Sequence, residues 1–136
     1  MTWTPGEEEL TELRIRMIVA SRAGGLEQPI DTVWIHLQDA AGLRASVERS
    51  LRLGFQGRMC IHPDQVGVVN EIFTPSAAEA ERAQKVVDAF RAAEAAGVAS
   101  IQVDGLFVDY PVVQRAQRTL ATLAALRGRQ EQFKTF

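Results

Sequence analysis

The spacing of apolar residues in the first half of the chain predicts helices that alternate with strands. Apolar residues recur at three- and four-residue steps across 6–23 and 41–53, as in amphipathic helices. Segment 32–37 is β-branched and aromatic, and 58–61 is a short apolar run, so both are predicted strands. Strand, helix and strand with short links form a βαβ unit, which is expected to be parallel and right-handed.

The second half is predicted to contain helices and one hairpin. A short helix should follow Pro63, and Ser76 with Glu79 forms a capping box that opens a long helix. Asp104-Gly105 lies between two short apolar runs and is a strong hairpin signal. A final helix follows, and its polar tail from Gly128 is expected to fray.

The strand at 58–61 ends abruptly in His62-Pro63, with Asp64 and Gln65 directly behind. Proline cannot continue a strand ladder and pushes the preceding residue out of helical geometry. His62 is therefore expected at the carboxyl end of a buried strand. That end is where α/β sheets and barrels bind ligands.

Both predicted strands are apolar on both faces, as in the middle of a larger parallel sheet. Within them, Cys60 and His36 are interpreted as core or helix-facing residues. Two such strands alone would leave two unpaired edges. As a closed domain, the chain is expected to be missing strands.

Composition narrows the function classes. The chain has 136 residues, a net charge of -2 and 46% hydrophobic residues, typical of a globular chain with neither nucleic acid nor an anionic membrane as partner. A lone cysteine excludes a disulfide framework. No apolar run of membrane length and no signal segment occur, so a cytoplasmic location is predicted.

Three motifs occur in a fixed order and spacing over most of the chain. They are Ala20-Ser21-Arg22-Ala23-Gly24-Gly25-Leu26 leading to Pro29-Ile30-Asp31, Leu53-Gly54-Phe55 through Gln65, and Val103-Asp104-Gly105 through Pro111. Together they resemble the citrate lyase β-subunit-like family, the CoA-ester lyases of the HpcH/HpaI aldolase superfamily.

The resemblance implies an α/β fold, a partial (β/α)8 (TIM) barrel with a helical extension. A complete barrel needs roughly 250 residues. Residues 1–73 would hold the last two βα units, with the seventh strand at 32–37 and the eighth at 58–61. Residues 74–136 would form the C-terminal helical lid extension with its β-hairpin. Thr2-Trp3-Thr4-Pro5 resembles the segment just after the sixth strand.

The resemblance also implies a reaction. Family members make or break a carbon–carbon bond next to a CoA thioester, of the malyl-, citramalyl- or citryl-CoA type, through an enolate stabilised by Mg²⁺. The family's metal carboxylates and its substrate-binding arginine lie on earlier strands, without counterparts here. The chain alone is therefore expected to be inactive. Asp31, Asp39 and Asp64 are interpreted as helix or turn caps rather than metal ligands.

Four residues are candidate site residues by this resemblance. The family aspartate that matches Asp109 reaches into a neighbouring subunit's active site and assists proton transfer. The alternative role for Asp109 is a helix N-cap, and both roles can hold together. His62, Pro63 and Gln65 are expected to line the CoA or substrate entrance. The alternative for His62 is that it only orients a loop.

Other positions are less informative. Family members usually carry an acidic residue or tyrosine where this chain has His36 and Gln38, which leaves the substrate open. Arg58 replaces a frequent lysine and is expected to meet phosphate or solvent. Arg14 is interpreted as a solvated or subunit-contact residue.

Three hypotheses follow. The first is the C-terminal portion of a CoA-ester lyase, completed by a separate N-terminal half and assembling as a homo-oligomer, with a trimer expected. The second is a non-catalytic oligomerisation or remnant module. The third is a small α/β binding protein stabilised by domain swapping.

Overall fold

The computed structural model describes residues 4–133, so the predicted motif at Thr2-Trp3 lies outside the described residues. The chain divides into two compact units, Met1–Phe73 and Thr74–Phe136. In chain order, the elements are a 3₁₀ turn at Glu8–Leu10, α1 at Thr11–Ala23, β1 at Ile30–Asp31, α2 at Ala40–Leu53, β2 at Gly57–Arg58, α3 at Pro63–Phe73, α4 at Ala77–Ala95, β3 at Ile101–Val103, β4 at Leu106–Val108 and α5 at Tyr110–Phe133.

The first unit contains the predicted βαβ arrangement. Strands β1 and β2 are parallel, with Ile30 opposite Gly57 and Asp31 opposite Arg58, and α2 connects them. Asp39 caps α2 by accepting a hydrogen bond from the Gly42 backbone N–H, as its cap interpretation predicted. The buried apolar side chains of this unit are Trp34, Leu43, Val47 and Val69.

The strands are shorter than predicted. Among the described residues of the first unit, only Ile30–Asp31 and Gly57–Arg58 form strands, so the predicted bounds 32–37 and 58–61 are wrong. Among the described residues each strand has a single neighbour, so no second ladder extends it. Beyond Asp31, the Trp34 carbonyl accepts its hydrogen bond from the Gln65 side chain instead of from a strand.

The predicted burial of these segments is wrong as well. Ile35, Met59 and Ile61 are each about half exposed, at 48%, 52% and 53%. Cys60, expected in the core, is exposed. His36, expected to face the core or a helix, is also exposed, with its ring edge-on to Trp34 at a centroid distance of 5.2 Å. These side chains lack the neighbouring strands that would cover them.

The first helix begins later than predicted. The pattern placed its start at residue 6, whereas α1 begins at Thr11 after the 3₁₀ turn. Glu7 has a left-handed backbone with φ of 53°, which is incompatible with a continuous helix. The turn at Glu7 directs its side chain into the first unit, where it is buried.

The second unit packs α4 and α5 with a β-hairpin. Strands β3 and β4 are antiparallel, and Asp104 and Gly105 have φ of 50° and 78°, as a type I′ turn requires. The predicted hairpin is confirmed. The core of the second unit is formed by apolar residues from α4, β3, β4 and α5: Ala83, Val86, Val87, Phe90, Val103, Val108, Val113 and Ala116.

The last helix is longer than expected, because α5 continues to Phe133 rather than fraying from Gly128. Over residues 4–133, no helix combines the length and the apolar character needed to cross a membrane. The cytoplasmic location stays a prediction.

The capping box at the start of α4 is confirmed. Ser76 Oγ accepts from the Glu79 backbone N–H at 3.2 Å, and Glu79 Oε2 accepts from the Ser76 backbone N–H at 2.8 Å. These hydrogen bonds from Ser76 lower the pKa of Glu79. The ionised carboxylate therefore stabilises the folded state at pH values above the ordinary glutamate pKa. This stabilisation is lost as the pH falls through the lowered pKa.

Replacing Ser76 by alanine is expected to destabilise the second unit by about 1 kcal/mol, because the Glu79 backbone N–H loses the hydroxyl that accepts its hydrogen bond. Urea unfolding of the full chain, followed by far-UV circular dichroism, measures the change. Ser100→Ala is the matched control, since Ser100 is exposed in a loop. Equal midpoints for the two variants would contradict the prediction.

Candidate functional site

His62 and Pro63 lie where β2 has ended and α3 begins. Both are exposed, and α3 starts at Pro63, the helix position that tolerates a missing N–H. His62 Nδ1 lies 3.5 Å from the Asp64 carboxylate and accepts from the Asp64 backbone N–H at 3.3 Å. These contacts orient the loop, and the exposed ring leaves a ligand-facing role as a prediction.

Gln65 joins the two segments that follow the strands. Its Oε1 accepts from the Ile61 backbone N–H at 3.0 Å, and its Nε2 donates to the Trp34 carbonyl at 2.9 Å. The side chain is 4% exposed. Gln65 therefore holds the two loop segments together, and its expected contact with substrate stays a prediction.

Asp109 lies at the start of α5, directly after the hairpin. Its Oδ1 accepts from the Val112 backbone N–H at 3.3 Å, and its carbonyl accepts from the Val113 N–H at 3.0 Å. The residue is half-buried. Asp109 therefore caps the N-terminus of α5, which was the alternative to its predicted role in proton transfer. Because the residue is partly exposed, proton transfer stays a prediction.

The structure also contains a buried ion cluster that the sequence did not predict. It consists of Glu7, Arg14, Asp31 and Arg58, with the hydroxyls of Ser46 and Ser50. The four charged side chains are at most 4% exposed. Two positive and two negative charges balance, as buried charges require.

The contacts of the cluster are reciprocal. Arg14 donates to Asp31 Oδ1 through Nε at 3.0 Å and to Glu7 Oε2 through Nη2 at 3.1 Å. Arg58 donates to Glu7 Oε1 at 3.1 Å, to Asp31 Oδ2 at 3.4 Å and to Ser46 Oγ at 2.7 Å. Each guanidinium thus bridges both carboxylates, which links α1, β1 and β2 to the segment before α1.

Three interpretations from the sequence are wrong at this cluster. Asp31 is not a cap of a helix but a buried ion-pair partner, although its Oδ1 also accepts from the Thr32 N–H at 2.8 Å. Arg14 is buried rather than solvated, and Arg58 meets carboxylates rather than phosphate or solvent. Burial lowers the pKa of Arg58, and the nearby Glu7 and Asp31 carboxylates oppose that shift.

One sequence pattern that indicates this cluster lies in α2. Ser46 and Ser50 fall on the same helix face as Leu43 and Val47, the face that is buried. Two hydroxyls within a buried apolar stripe indicate a polar partner on the opposing strands. Asp31 and Arg58 are the last residues of β1 and β2, and they precede the exposed residues His36 and His62 in their segments.

Among residues 4–133, no group of three or more His, Cys, Asp and Glu side chains could hold a metal ion. Asp39 caps α2, Asp31 is paired with arginines, and Asp64 is exposed beside His62.

Curated proteins similar to the chain act on CoA esters or citrate by name. They include (3S)-malyl-CoA thioesterase of Cereibacter sphaeroides, 39% identical over 109 residues that make up 80% of this chain and 38% of that protein. Citrate lyase subunit beta of Leuconostoc mesenteroides subsp. cremoris is 36% identical over 116 residues, 85% and 38% of the two chains. Mitochondrial citramalyl-CoA lyase of Homo sapiens is 32% identical over 114 residues, 84% and 33%. The chain thus spans less than two fifths of each relative.

Solved structures show the same likeness, whereas no protein-family model matches the chain. The CitE protein of Mycobacterium tuberculosis, in complex with magnesium, acetoacetate and coenzyme A, has a TM-score of 0.73 and 26% identity, over 86% of this chain and 42% of that one. A citrate lyase from Burkholderia xenovorans LB400 has a TM-score of 0.69 at 18% identity, over 88% and 36%, and shares the fold. Since relatives and structural neighbours agree, the chain belongs to the citrate lyase β-subunit-like family.

Proposed function

We propose that the chain is the C-terminal portion of a carbon–carbon lyase that acts on a 3-hydroxyacyl-CoA thioester of the malyl-, citramalyl- or citryl-CoA type. The observation that carries the proposal is the identity of 32–39% to two CoA-ester enzymes and a citrate lyase subunit. The chain covers only 33–38% of those proteins. The proposal therefore includes an N-terminal barrel half that completes the active site.

The exposed apolar side chains of the first unit support this completion. Asp31 and Arg58 contact Ser50 on α2, so strand alternation places Ile30 and Met59 on the opposite face of the sheet. Ile30 and Met59 are 54% and 52% exposed. Further parallel strands beside β1 and β2 would cover these side chains and pair the free edges, as in a closed barrel.

The metal belongs to the missing half in this proposal. Because residues 4–133 contain no cluster that fits Mg²⁺, its ligands would have to come from the N-terminal half. CoA would enter as part of the substrate. His62 and Pro63, exposed at the strand end, are proposed to line the entrance for it.

Asp109 is proposed to move a proton at the carbon next to the thioester. Its position supports this role, since an N-cap fixes the carboxylate at the start of α5 while the residue stays partly exposed. The second unit would act as a lid on a neighbouring subunit in a homo-oligomer, with a trimer expected. A carboxylate supplied in this way needs a closed, water-poor site.

A chimera tests the proposal. This chain replaces the aligned 114-residue portion of the mitochondrial citramalyl-CoA lyase from Homo sapiens, and the product is assayed with Mg²⁺ on malyl-, citramalyl- and citryl-CoA. The acyl-CoA product of carbon–carbon cleavage and the free CoA from thioester hydrolysis are measured separately. We expect carbon–carbon cleavage of at least one substrate, and none from this chain alone.

A folded chimera without carbon–carbon cleavage would contradict the proposal. Self-association of the isolated chain in analytical ultracentrifugation, combined with that inactive chimera, would favour the oligomerisation module. A compact monomer that melts cooperatively would contradict the need for further strands.

A further inference from the structure

The carboxylate of Glu7 lies in a pocket of hydrogen-bond donors that come from three different elements. Arg14 on α1 and Arg58 on β2 each donate at 3.1 Å, and the hydroxyl of Ser46 on α2 donates as well. Arg49 Nη1 is 3.9 Å away. Glu7 itself is 2% exposed and belongs to none of the helices or strands.

Both arginines have a second buried partner besides Glu7. Asp31 holds both guanidinium groups, through Arg14 Nε at 3.0 Å and Arg58 Nη1 at 3.4 Å. Without Glu7, two buried guanidinium groups would share a single carboxylate, which leaves one positive charge without a buried partner. The remaining pocket would carry the donors and the charge of a carboxylate-binding site.

Arg14 and Arg58 also carry N–H groups that do not contact Glu7. Among the residues that the structure describes, Arg14 Nη1 and Arg58 Nε are buried without a hydrogen-bond partner. Guanidinium groups recognise carboxylates through pairs of parallel N–H donors, so these free N–H groups suit a second binding geometry.

We propose that Arg14, Ser46 and Arg58 form a binding site for a small aliphatic carboxylate, and that Glu7 occupies it as a built-in ligand. None of its residues is among the proposed catalytic or entrance residues, and the site does not depend on the proposed lyase activity. When the Glu7 side chain is removed, a free monocarboxylate of matching size takes its place.

The backbone conformation at Glu7 allows its side chain to be removed without backbone strain. With φ of 53°, residue 7 is in the left-handed region, which glycine adopts without strain. Glu7→Gly removes two methylene groups and the carboxylate, the size of propionate. Glu7→Ala removes one methylene group and the carboxylate, the size of acetate.

The two variants are compared by thermal unfolding of the full chain, in propionate, acetate or chloride at equal ionic strength. We expect each variant to lose roughly 10 °C in Tm, because a partner of a buried charge is missing. Propionate should restore at least half of that loss in Glu7→Gly. Acetate should do so in Glu7→Ala, where propionate is one methylene group too large for a packed site.

This reversal of preference separates occupancy of the site from general salt effects, which would be equal in both variants. Wild type and the control Glu8→Ala, which alters an exposed carboxylate in the same segment, should show no carboxylate-specific shift. Equal responses to chloride and to both carboxylates would overturn the proposal. If Glu7→Gly does not fold in chloride, propionate must restore its circular dichroism signal, and failure to do so overturns the proposal too.

Discussion

Replacing Arg58 by methionine is expected to destabilise the first unit by about 3–5 kcal/mol, because it removes one partner of a buried ion cluster. The side chain of Arg58 is 0% exposed and bridges Glu7 and Asp31. Without it, two buried carboxylates face each other with Arg14 as their shared close partner. Methionine fills much of the volume, so the loss reports the charge rather than a cavity.

Tryptophan fluorescence measures this loss in urea. Trp34 is buried in the first unit, and no tryptophan follows it in the sequence. The control is Arg52→Met, since the Arg52 side chain is 68% exposed and lies 3.8 Å from Glu48. A surface pair of this kind should change stability by no more than about 0.5 kcal/mol.

A double variant adds a stricter test of Arg58. Combining Arg58→Met with Glu7→Gln removes one of the two facing carboxylates, so it should cost less than the sum of the two single variants. Additive losses, or an Arg58→Met midpoint equal to that of the Arg52→Met control, would show that the cluster is not coupled as its distances indicate.

The features that the sequence predicted correctly depend on neighbours in the chain. Ser76 and Glu79 are three residues apart, and Asp104 and Gly105 are adjacent, so residue type alone determines both the capping box and the hairpin turn. The parallel pairing of the two strands followed from their connection through a helix.

The features that were missed depend on distant parts of the chain. Arg58 and Glu7 are 51 residues apart, and nothing in their spacing indicates an ion pair. Strand length failed for a related reason, because 32–37 has strand-forming residues but lacks a second neighbouring strand among the described residues. A segment of this composition forms a ladder only where another strand supplies the partners.

The candidate site contains both kinds of contact, those between neighbours in the chain and those between distant residues. The N-cap geometry of Asp109 follows from its place before a helix, so local sequence predicted it. The hydrogen bond from Gln65 to the Trp34 carbonyl joins residues 31 positions apart, and no local pattern indicated it. In the proposed function, the metal ligands that complete this site come from outside residues 4–133.

Replacing Asp109 by asparagine is expected to lower the turnover of the complete enzyme about 10²- to 10⁴-fold, the usual contribution of a positioned acid or base. Asparagine caps helices about as well as aspartate does, so the Val112 N–H keeps its acceptor. The chimera with the Homo sapiens citramalyl-CoA lyase is the enzyme to use, with kcat measured on its best substrate and Tm measured in parallel.

Asp109→Ala separates the two roles of this carboxylate. Alanine removes the proton-transfer group and the cap together, so it should lower turnover as asparagine does and should also cost about 1 kcal/mol of stability. Asparagine should lower turnover alone. If Asp109→Asn keeps the wild-type kcat, or if it loses as much stability as Asp109→Ala, the carboxylate serves only the fold. The proton at the carbon next to the thioester must then be moved by a group outside this chain.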